Sequence, residues 1–265
     1  EFPFKDEEQS FRVFRIPMPQ NRWLQIASLL KCALKLVKKY RVQYIYATTW
    51  NFSGFVAAVI FRMTGVPFIL QSHGYDAYWR NLGWADRCLF KFSLRSAKQV
   101  FAVSHYIERM LREFEPKLNR LTVLPVGVDC QLFRPLDDAK AVRKKFNLEG
   151  KKVILSVARL IPGKGHAEVL KALPEIQRRI PNVRYVIVGE GYGKRDLESL
   201  VKELNLTTQV IFAGAVSHNE LPLYYAACDV FIQANHQVTD HQDLHFGEVE
   251  SFGIVFIEAN ACGKP

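Results

Sequence analysis

The chain is poor in the residues that staple or ligate. Its five cysteines, Cys32, Cys88, Cys130, Cys228 and Cys262, are odd in number, scattered over 265 residues and free of any Cys-x-x-Cys pair. That excludes a disulfide framework and a zinc-binding spacing, and reads as reduced thiols in the cytosol. Long apolar runs are also missing: a stretch such as 56–61 falls far short of the roughly 20 residues that a membrane-spanning helix requires. Signal peptide, internal repeat and low-complexity tract are absent as patterns, so the sequence reads as an ordinary globular one.

With 49% hydrophobic residues in 265, the chain has enough apolar material for two ordinary cores. Charge divides it in the same way. Residues 1–135 carry 20 Lys and Arg against 10 Asp and Glu, whereas 136–265 carry 16 of each, so the first half holds the whole surplus of +10. A one-sided positive field attracts an anionic partner: a phosphorylated substrate, an acidic membrane surface or nucleic acid. The last is the weakest of the three, since no recognised binding motif accompanies the charge. A merely solvated basic face is the plain alternative.

Short apolar runs alternate with helical patterns from end to end, the signature of parallel sheets covered by helices. Strands are expected at 12–16, 43–47, 67–71, 99–103, 121–124, 153–157, 184–188, 209–212 and 229–232. The segment 22–40 has apolar residues at helical spacing, with Lys31, Lys35, Lys38 and Lys39 toward its C-terminal part, where cations favour the helix dipole. The turn-rich stretch 125–135 interrupts the rhythm and marks a hinge between domains 1–128 and 129–265. Both ends look cut: an acidic irregular stretch stands in place of an opening strand, and the chain stops at Gly263-Lys264-Pro265 where a further strand is expected.

The strongest local signal is Ser156-Val-Ala-Arg159-Leu-Ile-Pro-Gly163-Lys164-Gly165, which follows an apolar strand and opens a helix from about Ala167. Glycines permit close backbone approach, a helix start offers free amides, and Arg159 and Lys164 add two cations. That is a diphosphate site. It fits neither the P-loop spacing nor the dinucleotide glycine fingerprint. A second element, Glu250-Ser-Phe252-Gly253-Ile-Val-Phe-Ile-Glu258, places two carboxylates eight positions apart around a helix starting near Gly253. Carboxylates accept from vicinal hydroxyls, so one can hold a ribose and the other a hexose, while amides near Phe252 and Gly253 hold negative charge. Each motif taken alone is more commonly a solvated surface feature. The loop 235–249 is rich in His236, Asp240, His241, Asp243 and His245, and the 241/245 pair has helical ligand spacing. With no Asp-x-Asp motif in the chain, it reads instead as a substrate-facing edge, and no metal is expected.

Together these elements resemble the family-4 retaining glycosyltransferases of the GT-B fold over roughly residues 44–265. That pattern is a strand ending in Arg159, Lys164 five residues later, the turn Gly189-Glu190-Gly191, and Glu250 with Glu258. The turn Ser72-His73-Gly74-Tyr75-Asp76 and the crossing Pro125-Val-Gly127-Val-Asp129 resemble the family's acceptor-side turn and interdomain link. The resemblance implies an α/β protein of two Rossmann-like domains with parallel sheets facing a cleft, the second incomplete. It implies transfer of a hexose from a nucleoside diphosphate sugar with retention, without metal or cofactor. Arg159 and Lys164 would neutralise the diphosphate, Glu250 would orient the hexose, Glu258 the ribose, and His73 the sugar. Gly163, Gly189, Gly191, Phe252 and Gly253 would line the nucleotide. The family's first strand with its glycine-rich loop, and its closing strands and last helix, have no counterpart here. Two readings stay open beside transfer: a sugar-nucleotide epimerase of the same plan, and a sugar-nucleotide binder without catalysis. The basic first half points to an anionic or lipid-linked acceptor and to peripheral contact with the inner face of a membrane.

Overall fold

The structure, a computed structural model, describes residues 12–17, 19–74, 79, 82–136, 139–236 and 250–265. The chain divides into two compact units, Glu1–Pro125 and Val126–Pro265. In the first, helix α1 (Arg22–Tyr40) starts at Asn21, whose Oδ1 accepts from the amides of Trp23 (2.9 Å) and Leu24 (3.3 Å). It ends where Arg41 turns left-handed at φ 48°, with Lys38 and Lys39 in the last turn complementing the dipole. Then follow β1 (Ile45–Ala47), α2 (Phe55–Thr64), β2 (Phe68–Ser72), α3 (Trp84–Ser96), β3 (Gln99–Ala102), α4 (His105–Phe114) and β4 (Leu121–Val123). The four strands pair in parallel in the order β1-β2-β3-β4. A run of aromatic rings backs α3 and α4, with Trp50 stacked on Phe90 and Phe90 on Phe114, both at 4.8 Å between centroids.

The expected strand at 12–16 is not one. It reads as a short apolar run, but the segment forms no ladder and runs against the end of α1. There the Arg12 guanidinium lies 5.3 Å from the Tyr40 ring centroid and the Phe14 ring 6.0 Å from it. Ring and cation contacts have taken the place of a sheet partner.

The second unit contains α5 (Lys140–Lys145), β5 (Lys152–Val157), α6 (His166–Arg179), β6 (Val183–Val188), α7 (Lys194–Glu203), β7 (Val210–Gly214), α8 (Leu221–Ala227), β8 (Val230–Phe231) and α9 (Ile254–Ala261). Its sheet is parallel, in the order β7-β6-β5-β8. Side chains of a strand alternate between faces. Val153, Leu155 and Val157 of β5 accordingly pack with α8 and α9, while Ile154 packs with Leu170 and Leu173 of α6 and Leu197 of α7. Both faces are covered, which is why β5 and β6 read as nearly unbroken apolar runs.

The turns at the C-terminal ends of β5 and β6 touch backbone to backbone. A Cβ on Gly189 (φ 140°) would lie 1.9 Å from the Ala158 carbonyl oxygen, and one on Gly191 2.3 Å from that of Leu160. The amides of Ala158 and Leu160 donate to the carbonyls of Val188 and Glu190, each at 3.0 Å. We expect Gly189→Ala to lower the stability of this unit by roughly 3 kcal/mol, since backbone must shift. Gly127→Ala, whose new Cβ meets nothing within 4 Å, should leave it nearly unchanged. Urea unfolding midpoints of the two variants check the contrast.

Candidate active site

In the second sheet the chain leaves β5 toward β6 and later returns on the other side of β5 as β8. The segments leaving β5 and β8 therefore diverge at a topological switch point, the place where open α/β sheets bind ligands beyond their strand ends. Arg159 and Lys164 leave β5 there. Gln233 and Asn235 leave β8, and Glu250 rejoins them from further along the chain.

The polar groups meet at one oxygen. Lys164 Nζ donates to Glu250 Oε2 at 2.8 Å, and Asn235 Nδ2 donates to the same atom at 3.0 Å. Gln233 Nε2 donates in turn to Asn235 Oδ1 at 3.0 Å. The Lys164 and Glu250 side chains are 20% and 27% exposed, shielded enough for the pair to be held in one geometry yet still open to solvent. Arg159 is exposed on the same turn. Gly163, at φ 78°, accepts the His236 amide through its carbonyl at 3.0 Å, which lays the segment leaving β8 along the turn that leaves β5. Gly165 explains how closely: a Cβ there would stand 1.9 Å from the Ala234 carbonyl oxygen. A cleft of about 180 Å³ borders this turn, with Pro162, Gly163, Asp196 and His236 in its wall.

The two carboxylates of the Glu-x7-Glu element are placed differently. Glu250 precedes the helix. Gly253, in the left-handed region at φ 79°, caps α9, with Phe252 half-buried just before it. Glu258 lies inside α9, only 3% exposed, and its Oε2 accepts from the Tyr225 hydroxyl at 2.9 Å. Gly189 and Gly191 make their close approach to the neighbouring turn, as described above. His73 is exposed directly after β2 in the first unit. Of the histidine-rich loop, His236 sits with Nδ1 3.6 Å from Glu168 Oε2. Asp240, His241, Asp243 and His245 lie outside the described residues.

Sequence reading passed over Gln233, Asn235 and Tyr225. The first two follow a very short apolar strand, and a polar pair at the end of a strand beside a switch point was the available signal. Tyr225 carries no local signal: its partner is 33 residues away.

Beneath the turn runs a buried polar chain. His166, the first residue of α6 and 2% exposed, has Nδ1 3.3 Å from the Tyr185 hydroxyl. That hydroxyl donates to Ser156 Oγ at 2.8 Å, and Ser156 Oγ donates to the Ile232 carbonyl. The chain ties β5, β6, α6 and the exit of β8 to one another directly below Arg159 and Lys164.

Two family models divide the sequence between them, "Glycosyltransferase Family 4" over residues 2–132 and "Glycosyl transferases group 1" over 138–265. The chain belongs to the family-4 glycosyltransferases. Their GT-B fold accounts for the two parallel α/β units. One relative is the GDP-mannose-dependent alpha-(1-6)-phosphatidylinositol monomannoside mannosyltransferase of Mycolicibacterium smegmatis, 29% identical over all of this chain and 68% of its own length. Another is the alpha-monoglucosyldiacylglycerol synthase of Streptococcus pneumoniae, 25% identical over all of this chain and 56% of its own. Among solved structures, the sucrose-phosphate synthase of Thermosynechococcus elongatus superposes with a TM-score of 0.76 at 25% identity, covering 95% of this chain and 62% of that one. The chain thus spans between about half and two thirds of the length of the glycosyltransferases it matches.

Burial pushes the pKa of His166 down to about 4, outweighing the Arg159 carbonyl that favours its charged form, while the Lys164 charge adds to the depression. The folded unit holds this imidazole neutral, whereas the unfolded chain takes up a proton below about pH 6.5. Stability from this group is therefore full above about pH 6.5 and falls as the pH drops toward 4, by on the order of 3 kcal/mol. Urea unfolding at pH 7 and pH 4.5 checks it: His166→Gln should lose less stability between the two than the unmodified protein.

Proposed function

We propose that the protein transfers a hexose from a nucleoside diphosphate sugar to an acceptor, with retention at the anomeric carbon. The observation that carries this reading is the meeting of Lys164, Asn235 and Glu250 at the switch point of the second sheet, with Arg159 exposed on the same turn, in the motif spacing of the family. As the bond from the anomeric carbon to the diphosphate oxygen breaks, positive charge grows on the sugar ring and negative charge on the departing phosphate. Arg159 and Lys164, fixed in advance by the turn and by Glu250, stabilise the latter, so no bound cation is needed. Glu250 accepts from hydroxyls of the hexose and Glu258 from those of the ribose. His73 is assigned to the sugar on the family resemblance alone. The epimerase reading has no support from the transferases this chain resembles. A binder without catalysis is separated by product analysis, since transfer consumes an acceptor and binding consumes nothing.

The mannosyltransferase name of the Mycolicibacterium relative makes GDP-mannose the first donor to try. In a thermal-shift panel of GDP-, UDP- and ADP-sugars, one nucleotide class should raise the melting temperature, and Arg159→Ala should abolish the rise. Arg159→Ala should also lower turnover about a hundredfold or more, and turnover unchanged by that substitution defeats the mechanism.

The acceptor is assigned as anionic or lipid-linked. The first half of the sequence carries the positive surplus, the names of both relatives contain a lipid, and one face of α1 exposes Lys31, Lys35, Lys38 and Lys39 together with Leu24. No helix among the described residues is long and apolar enough to cross a membrane. Contact at a membrane surface through that face is the reading this supports, with the cytoplasmic leaflet as the place. Co-sedimentation with vesicles containing acidic lipid should be strong at low salt and weakened by Lys31→Glu, Lys35→Glu and Lys38→Glu together. Absence of binding at low salt removes this part of the proposal.

A further inference from the structure

Glu258 reaches any ligand from an unusual position for a carboxylate, 3% exposed and in a short helix. A buried carboxylate without donors is costly, so its geometry depends on what donates to it. That donor comes from α8. The Tyr225 hydroxyl lies 2.9 Å from Glu258 Oε2, with the Val255 carbonyl a longer 3.4 Å away. Its one proton goes to the nearer and charged acceptor. Tyr225 itself is fully buried, its ring edge-on to Phe231 at 5.7 Å and to Phe133 at 6.1 Å between centroids. Burial, and then the neighbouring Glu258 charge, push the hydroxyl pKa upward, so Tyr225 remains a donor across the working pH range.

Packing in the core holds the stem of the side chain, and the hydrogen bond from Tyr225 sets its carboxylate. The helix is eight residues long, begins at a glycine without a side-chain cap, and leaves Ile254 and Phe256 more than a third exposed. A glutamate has three rotatable bonds, and the hydrogen bond from a rigidly packed ring removes that freedom before any ligand arrives. Tyr225 takes one lone pair of Oε2, which leaves Oε1 and the second lone pair of Oε2 to accept from a diol.

We propose that Tyr225 is a positioning residue that fixes Glu258 toward a ribose diol, and so sets the preference of this site for ribonucleotides over nucleotides lacking the diol. The inference rests on the assignment of Glu258 to ribose made above, and the test separates the two. GDP and UDP are titrated calorimetrically against the protein beside their 2′,3′-dideoxy counterparts. The unmodified protein should bind the preferred ribonucleotide about tenfold more tightly than its dideoxy form, the worth of one good hydrogen bond to a charged group. Tyr225→Phe keeps the ring and should lose most of that ratio while binding the dideoxy form as before. Glu258→Gln should lose it as well, and the double variant should be no worse than Glu258→Gln alone. Partial unfolding of Tyr225→Phe lowers both affinities by the same factor and cancels in the ratio. A ratio retained in Tyr225→Phe but lost in Glu258→Gln overturns the role of Tyr225 and leaves the ribose assignment standing. No ratio in the unmodified protein overturns the ribose assignment and the inference with it.

Discussion

In the second unit the turns leaving β5 and β6 pass so close that only a hydrogen atom fits between their backbones. Gly189 and Gly191 occupy the near side, and the carbonyls of Ala158 and Leu160 the far side. Hydrogen bonds of 3.0 Å, donated by the amides of Ala158 and Leu160, join the two turns on either side of Arg159. Gly165 repeats the arrangement against Ala234. Three strand ends are thereby brought together through their main chains. The cations carried by these turns inherit that fixity, which is what electrostatic preorganisation requires.

The polar residues above this frame sort by exposure. Lys164 and Glu250 are partly shielded, so their ion pair is stronger than a surface pair, and both heads still border solvent. Glu258 is buried and shared with a tyrosine, while Arg159 projects outward. Two motifs far apart in the chain therefore present three electrostatic environments.

The parallel α/β plan was readable because both faces of β5 and β6 are covered, leaving runs such as Val153 to Val157 apolar but for Ser156. The turn carrying Arg159 and Lys164 was readable because strand, turn and helix follow one another without interruption. What escaped reading depends on distance along the chain. Tyr225 acquires its role only when α8 and α9 meet, and Asn235 only when Glu250 comes to lie against it. The glycines of the β6 turn were visible, but the neighbouring backbone that requires them was not. At 12–16 a short apolar run was misleading, since a strand needs a ladder partner and the ring of Tyr40 took up Arg12 and Phe14 instead.

The contact between Asn235 and Glu250 brings together two points fifteen residues apart in sequence. His236 is anchored to Gly163 just beyond the first point, and α9 begins just after the second. The chain between them is an excursion whose ends are already joined. Closing such an excursion costs only about 0.6 kcal/mol more for each doubling of its length. Lengthening, shortening or rewriting this stretch therefore carries little thermodynamic consequence so long as its two joined ends are kept.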